Sequence, residues 1–196
     1  MNLPFAESAE QNKAVIFDAI RPYLKGEVLE VGSGTGQHAI FCASQLPDLR
    51  WQTSDLAANL PGIAARIAAS GLPNLAPPIE LDVLGSWPNH AYDTVYTANS
   101  FHIMDATMVT ACIDGVGRCL RPGGVFAVYG PFSYGGAYTS DSNARFDQML
   151  RARDPGSGIR DFEWIAQLAN EAELDLVEDV EMPTNNRTLI WQKRTL

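Results

Sequence analysis

The sequence predicts a doubly wound α/β fold: a Rossmann-like, mostly parallel, seven-stranded sheet with helices on both faces and an antiparallel hairpin at its C-terminal end. Three observations carry this. Short apolar runs alternate with helical patterns along the first two thirds of the chain, which means crossover units and a covered parallel sheet. One apolar run, residues 27–31, passes through Gly32, Gly34 and Gly36 straight into a helical stretch, making a tight corner of bare backbone. Near the end, residues 175–182 and 188–193 read as strands with only Pro183-Thr184-Asn185-Asn186-Arg187 between them. So short a link cannot cross over, and the pair is antiparallel.

The elements follow in order. Ser8-Ala9-Glu10-Gln11 reads as a capping box ahead of Val15, Ile16, Ala19 and Ile20 at helical spacing, and Pro22 ends that helix. Residues 37–46 form a helix stopped by Pro47, and residues 49–54 a strand ending at Asp55. Residues 61–70 are helical, with Pro61 near the start and Gly71 at the end. A third strand at 78–83 ends near Asp82, and a fourth at 93–98 leads into Asn99. A helix at 107–120, a turn at Arg121-Pro122-Gly123-Gly124 and an apolar fifth strand at 125–129 come next, then a helix at 161–171 before the hairpin. Residues 130–140, with Gly135, Gly136, Phe132, Tyr134 and Tyr138, read as a loop, as do residues 153–158; long loops often bind ligands. No repeat or boundary is visible, so a single domain over residues 1–196 is expected.

Composition narrows the partners. The chain has 196 residues, 46% hydrophobic, and a formal net charge of -9. Residues 161–181 hold eight carboxylates and no Lys or Arg, which reads as a solvated helix face and strand edge. Such a surface repels phosphate backbones, so no nucleic-acid partner is expected. Cys42, Cys112 and Cys119 form no C-x-x-C, which signals neither a disulfide framework nor a metal site. Residues 1–13 lack an apolar core of signal-peptide length, and no run approaches the ~20 apolar residues of a membrane span. A soluble cytoplasmic protein with no membrane partner is expected.

The glycine corner separates two kinds of cofactor. The dinucleotide pattern G-x-G-x-x-G would need glycine where Gln37 stands; the third glycine is Gly36 instead. Glu30 also sits just before the corner, and a carboxylate opposes a pyrophosphate but suits a cationic sulfonium or ammonium. The pattern acidic-x-G-x-G-x-G therefore favours S-adenosylmethionine, lying along Gly32, Ser33, Gly34, Thr35 and Gly36. Asp55, 19 residues beyond Gly36, can accept both ribose hydroxyls, with Leu56 beside it; the alternative is a helix N-cap. Asp82, with Val83, can accept from the adenine amino group, or serve a turn. Five parallel strands finished by a hairpin is also the outline of a class I methyltransferase sheet.

The fourth strand ends in Asn99-Ser100-Phe101-His102, on the side where the methyl group would lie. Asn99 can bond the cofactor's amino acid moiety or a substrate group. His102 is the candidate general base, with plain backbone bonding as its alternative. Tyr129 and Phe132 can wall a substrate pocket or belong to the core. Tyr138 in the following loop, Asn143 and Arg153 are further substrate candidates, and Asn12 and Lys13 in the first helix can cover the site. Asn185 and Asn186 fit the hairpin turn.

These stretches together resemble one family. The chain is similar to the methyltransferase-like group called domain of unknown function 938, whose animal members are methyltransferase-like protein 26. The matching runs include Glu10-Gln11-Asn12-Lys13, Gly34-Thr35-Gly36-Gln37-His38, Trp51-Gln52-Thr53-Ser54-Asp55, Tyr129-Gly130-Pro131-Phe132, Gly158-Ile159-Arg160-Asp161 and Met182-Pro183-Thr184-Asn185-Asn186. The resemblance implies a class I methyltransferase fold and S-adenosylmethionine binding at Glu30, Gly32, Gly34, Asp55 and Asp82, and it implies no particular substrate. His38 at the start of the helix can touch the cofactor's carboxylate. A methyltransferase acting on a small molecule is the expectation. Its rivals are a non-catalytic cofactor sensor or docking module, and a sulfonium-using enzyme of non-methyl transfer or cyclisation.

Overall fold

A computed structural model describes residues 3–195; Met1 and Asn2, at the start of the stretch read for a signal peptide, and Leu196 lie outside the described residues. Seven strands form one sheet in the order β3-β2-β1-β4-β5-β10-β9. They are β1 (Glu27–Val31), β2 (Arg50–Asp55), β3 (Leu75–Glu80), β4 (Tyr92–Ala98), β5 (Leu120–Gly130), β9 (Leu174–Met182) and β10 (Asn186–Lys193). Only β10 runs antiparallel to its neighbours, inserted between β5 and the edge strand β9. The order reverses between β1 and β4, and a crevice opens there at the carboxyl ends of the strands.

Side-chain alternation splits the core into two layers. One face of the sheet sends Val28, Trp51, Tyr96, Ala127 and Ile190 against α1 (Glu7–Ile20) and α2 (Gln37–Gln45). The other sends Leu29, Val95, Phe126, Val128 and Leu189 against α4 (Ala106–Cys119) and α6 (Phe162–Glu171). Helix α3 (Leu60–Ser70) ends at Gly71 in the left-handed conformation, as its sequence predicts.

Several expectations need correction. Helix α1 starts at Glu7 with Ala6 as its N-cap and no capping side chain, so Ser8 lies inside the first turn and the capping box does not form. Tertiary contact replaces it: the Ala6 N–H donates to Gln37 Oε1 at 2.8 Å, and Glu7 and Glu10 complement the helix dipole. Strand β3 begins at Leu75 and stops at Glu80, which places Asp82 in the following turn. Its prolines are tolerated because β3 is an edge strand. The apparent loop at 130–140 is a small sheet: β6 (Phe132–Tyr134) pairs with β7 (Ala137–Tyr138) across a Gly135-Gly136 turn, and with β8 (Arg160–Asp161). Helix α5 (Asp141–Arg153) escaped the periodicity reading because its buried stripe is Asn143, Asp147 and Leu150, mostly polar. Ser140 caps it, accepting from the Asn143 N–H at 3.1 Å.

Candidate functional site

Two cavities open side by side at the crevice. The first, about 460 Å³, sits on the corner after β1. Its floor is the backbone of Gly32 to Thr35. Gly34 has φ +57°, and a Cβ there would meet nothing within 4 Å, so its bare backbone faces open space. Gly32 has φ +71°, and its Cβ would lie 2.8 Å from Ser100 Oγ. Both positions favour glycine, one for its left-handed backbone and the other for close packing as well. Gly36 does not line the cavity; it is the left-handed N-cap of α2, and its part is to turn the chain.

Three carboxylates border this chamber. Glu30 is 3% exposed and accepts from Ser33 Oγ at 2.8 Å and Trp51 Nε1 at 3.2 Å. Burial pushes its carboxyl up to about 7, against those two hydrogen bonds and with Asp55 adding to the rise. Asp55 Oδ2 accepts from the Gly34 N–H at 2.6 Å, while Oδ1 takes the Leu56 N–H at 2.8 Å and Asn59 Nδ2 at 2.7 Å. Asn59, not Asp55, is the N-cap of α3, so the capping alternative for Asp55 falls away. Asp82 is exposed at the rim and also serves its turn, accepting from the Leu84 N–H at 3.0 Å. Leu56, Val83, Ser33 and Thr35 line the chamber beside them, and no Lys or Arg does.

The roof comes from residues the sequence reading passed over: Ala6, Ser8 and Ala9 of the first helix and its lead-in, with Ile103, Met104 and Met108 opposite. Gln37 clips that roof down. Its Oε1 also accepts from Thr35 Oγ1 at 2.9 Å and its Nε2 donates to Glu10 Oε2 at 2.9 Å. The position that breaks the dinucleotide pattern thus ties helix to corner. His38 lines the chamber but is committed: its Nε2 donates to Asn12 Oδ1 at 2.8 Å and its Nδ1 accepts from Tyr96 OH at 3.0 Å. Burial holds its imidazole down at about 4, hence neutral.

The second cavity, about 740 Å³, adjoins the first; Ser8 and Asn99 line both. Asn99 has φ +57° and its N–H donates to the Tyr129 carbonyl at 2.9 Å, which pins the end of β4 to β5. His102 lines the cavity with its ring 5.3 Å from that of Phe146. Burial, then the Arg160 charge, push its imidazole down to about 4. The Tyr129 hydroxyl accepts from Asn186 Nδ2 at 3.0 Å and is also hydrogen-bonded by Asn12. Asn12 and Asn143 line the same cavity, as do Asn185 and Asn186, so the hairpin turn is part of the site as well as a turn.

Besides Gly36, four candidates lie elsewhere. Lys13 pairs with Glu10, sits 5.4 Å over the Phe41 ring and lines neither cavity. Phe132 is 1% exposed and packed in the core, because β6 turns it inward. Tyr138 is exposed and donates to Asp147 Oδ2 at 2.7 Å. Arg153 is exposed at the end of α5 and lines neither cavity. Among the described residues no group of three or more His, Cys, Asp or Glu can hold a metal ion.

Arg160 braces the 100–104 turn. It is buried without a carboxylate partner and donates from Nε to the Phe101 carbonyl at 3.1 Å, and from Nη2 to the Gly156 carbonyl at 2.6 Å and to that of Met104. Arg160→Met is expected to cost about 2–4 kcal/mol by leaving those carbonyls unpaired. Urea unfolding checks this; a loss under about 1 kcal/mol means the turn stands without the guanidinium.

The sheet order, its single antiparallel strand and the ligand-sized crevice at the reversal define the class I methyltransferase fold. An O-methyltransferase family protein from Burkholderia thailandensis superposes with a TM-score of 0.85 at 18% identity, over 96% of this chain and 57% of that one. The S-adenosylmethionine-dependent methyltransferase SibL gives 0.82 at 20% identity, over 96% and 56%. Human N-acetylserotonin methyltransferase in complex with S-adenosylmethionine gives 0.81 at 16% identity, over 96% and 53%. The chain spans little more than half the length of each. The chain itself belongs to the family described as protein of unknown function (DUF938), whose model matches residues 3–193. No helix among the described residues is long and apolar enough to cross a membrane.

Proposed function

We propose that this protein is an S-adenosylmethionine-dependent methyltransferase acting on a small molecule. The observation that carries this is the meeting of two chambers at Asn99, the first bordered by Glu30, Asp55 and Asp82 and lined by no Lys or Arg. That set of acceptors fits a cationic sulfonium nucleoside and opposes a pyrophosphate. In this reading Asp55 takes the ribose, Asp82 and the Leu81 and Val83 side chains take the adenine, and Glu30 with Ser33 takes the cationic end. A cytoplasmic location belongs to the same reading, supported by the free, buried Cys42, Cys112 and Cys119. Calorimetric titration with S-adenosylmethionine and S-adenosylhomocysteine tests it: saturable heat is expected, and none at millimolar ligand rejects it.

When bound, the cofactor supplies an electrophilic methyl group whose bond pair stays with sulfur. The chain's contribution is placement. Asn99, which lines both chambers, would hold an acceptor in the second chamber beside a cofactor in the first, and alignment of this kind supplies most of the rate. A proton released from an acceptor O–H or N–H passes to water or to the neutral His102 imidazole. Because burial keeps His102 near 4, it is deprotonated throughout the neutral range. Turnover is therefore expected to be flat from pH 6 to 8 as far as this group is concerned. His102→Ala is expected to lower kcat by about 10–100-fold, at or below the lower end for general bases, with cofactor affinity unchanged. An unchanged kcat would remove His102 from the chemistry.

The non-catalytic rival predicts binding without turnover. The open, polar second chamber favours the enzyme, since a plugged one would be expected of a sensor. Product mass separates the remaining rival: methylthioadenosine in place of S-adenosylhomocysteine would mean non-methyl transfer.

A further inference from the structure

The second chamber differs in chemistry from the rest of the molecule. In a chain with 14 basic and 23 acidic side chains, no Asp, Glu, Lys or Arg lines it. Its titratable groups are neutral near pH 7: burial holds His102 down at about 4 and raises the Tyr129 phenol. Arg160, whose charge is felt at His102, spends its donors on main-chain carbonyls. A charged molecule entering this space would give up hydration and meet no counter-ion.

Three asparagines of the wall are also one-sided in their hydrogen bonding. Asn143 Nδ2 donates to Thr139 Oγ1 and to the Asn185 carbonyl, each at 2.9 Å. Asn185 Nδ2 donates to Ser142 Oγ at 3.2 Å. Asn186 Nδ2 donates to Tyr129 OH at 3.0 Å and Thr184 Oγ1 at 2.9 Å. In all three the amino side is used within the protein, and the amide oxygen has no partner among the described residues. An amide oxygen only accepts, so the free valences of these three side chains call for donors. Flat side chains complete it: Tyr129, and Phe146 with His102 edge-on. Three non-glycine residues with left-handed φ, Asn99 (57°), Thr184 (58°) and Asn185 (60°), also line the chamber, and strain of this kind collects at ligand sites.

We propose that the second chamber selects an uncharged, ring-bearing molecule that presents O–H or N–H donors to the amide oxygens of Asn143, Asn185 and Asn186. This deepens the methyltransferase reading and rests on it: the selected molecule is the methyl acceptor, and the donor group beside Asn99 carries the atom that is methylated. The new bond forms from that atom's lone pair, the carbon–sulfur pair stays on sulfur, and the displaced proton leaves to water or His102.

Three phenols of similar size and different charge at neutral pH test it: 4-hydroxybenzamide is neutral, 4-hydroxybenzoate anionic and tyramine cationic. Each is titrated calorimetrically into the full chain, with saturating S-adenosylhomocysteine and again without it. The amide is expected to bind at least about tenfold tighter than either charged probe. Asn186→Asp, which adds a carboxylate at the half-buried rim, is expected to move the preference toward tyramine by about tenfold or more. Equal or tighter binding of a charged probe to the unaltered chain overturns the proposal, as does no binding of the amide at millimolar concentration. Should S-adenosylhomocysteine fail to bind while the amide keeps its advantage, the methyl-donor reading falls and the charge selection stands.

Discussion

Asp55→Ala is expected to weaken S-adenosylhomocysteine binding by about 100-fold, or ~2.7 kcal/mol. The carboxylate is 8% exposed and faces the first chamber at the end of β2, where two ribose hydroxyls can share its oxygens. Hydrogen bonds to a charged acceptor contribute about 1.5–3 kcal/mol each, so losing one or two accounts for the whole effect. The same oxygens hold the Gly34 and Leu56 N–H groups and Asn59, and those donors face the chamber unpaired in the variant. Stability is therefore expected to fall by about 1–3 kcal/mol as well. Asp82→Ala supplies the comparison. That side chain is exposed and offers one hydrogen bond, so a loss near tenfold is expected. Calorimetry on both variants decides the matter. Affinity of Asp55→Ala within threefold of the unaltered chain removes Asp55 from the cofactor seat.

The second large effect is pH-dependent and belongs to Glu30. Its folded carboxyl titrates at about 7 because burial disfavours the charge, whereas in the unfolded chain it titrates near 4.3. A raised folded pKa means the native state holds the proton that the unfolded state has already lost. The stability Glu30 contributes is complete below about pH 4.3 and is lost as pH rises to about 7, a change of roughly 3 kcal/mol. His38 and His102 act in the opposite sense, since their folded imidazoles sit at about 4. Their contribution is complete above about pH 6.5 and is lost as pH falls toward 4. The unaltered chain's profile mixes these terms, so the informative quantity is its difference from Glu30→Gln. That difference is expected to swing by roughly 3 kcal/mol in favour of the variant between pH 4.5 and 7.5, measured by urea unfolding without cofactor. A difference flat across that range means the carboxyl is not desolvated. A cationic cofactor would pull the proton off Glu30, so binding near pH 7 is also expected to release protons, read as a dependence of the binding heat on buffer ionisation.

Most of the sheet was legible in the sequence because its signals are local. Residues 27–31 form a short apolar run that ends at glycines, and β1 occupies that span. Gly71 stops α3 where a left-handed residue is needed. The short link before β10 left no choice of direction. What escaped was structure whose cause lies far along the chain. Helix α1 starts where Gln37, 31 residues away, takes the Ala6 N–H, not where Ser8 supplies a local cap. Helix α5 buries Asn143 and Asp147, whose partners come from the hairpin turn, from Tyr138 and from Ile159, so no apolar stripe marked it.

The site divides the same way. Gly32 to Thr35, Glu30, Asp55, Asp82 and Asn99 are found at one crevice because each sits at or just past the end of a strand, and parallel strands bring their ends to one edge. Phe132 is an aromatic after the fifth strand and Lys13 belongs to the covering first helix, yet packing directs both away from the cavities. The sequence by itself determined the alternation of strands and helices, the closing hairpin and the acidic corner, since strand ends and glycine turns are decided within a few residues. Only the tertiary structure decided the second chamber, its uncharged wall and its meeting with the first. Its parts come from α1, the end of β4, β5, α5 and the final hairpin, segments that the chain brings together only when both faces of the sheet are covered.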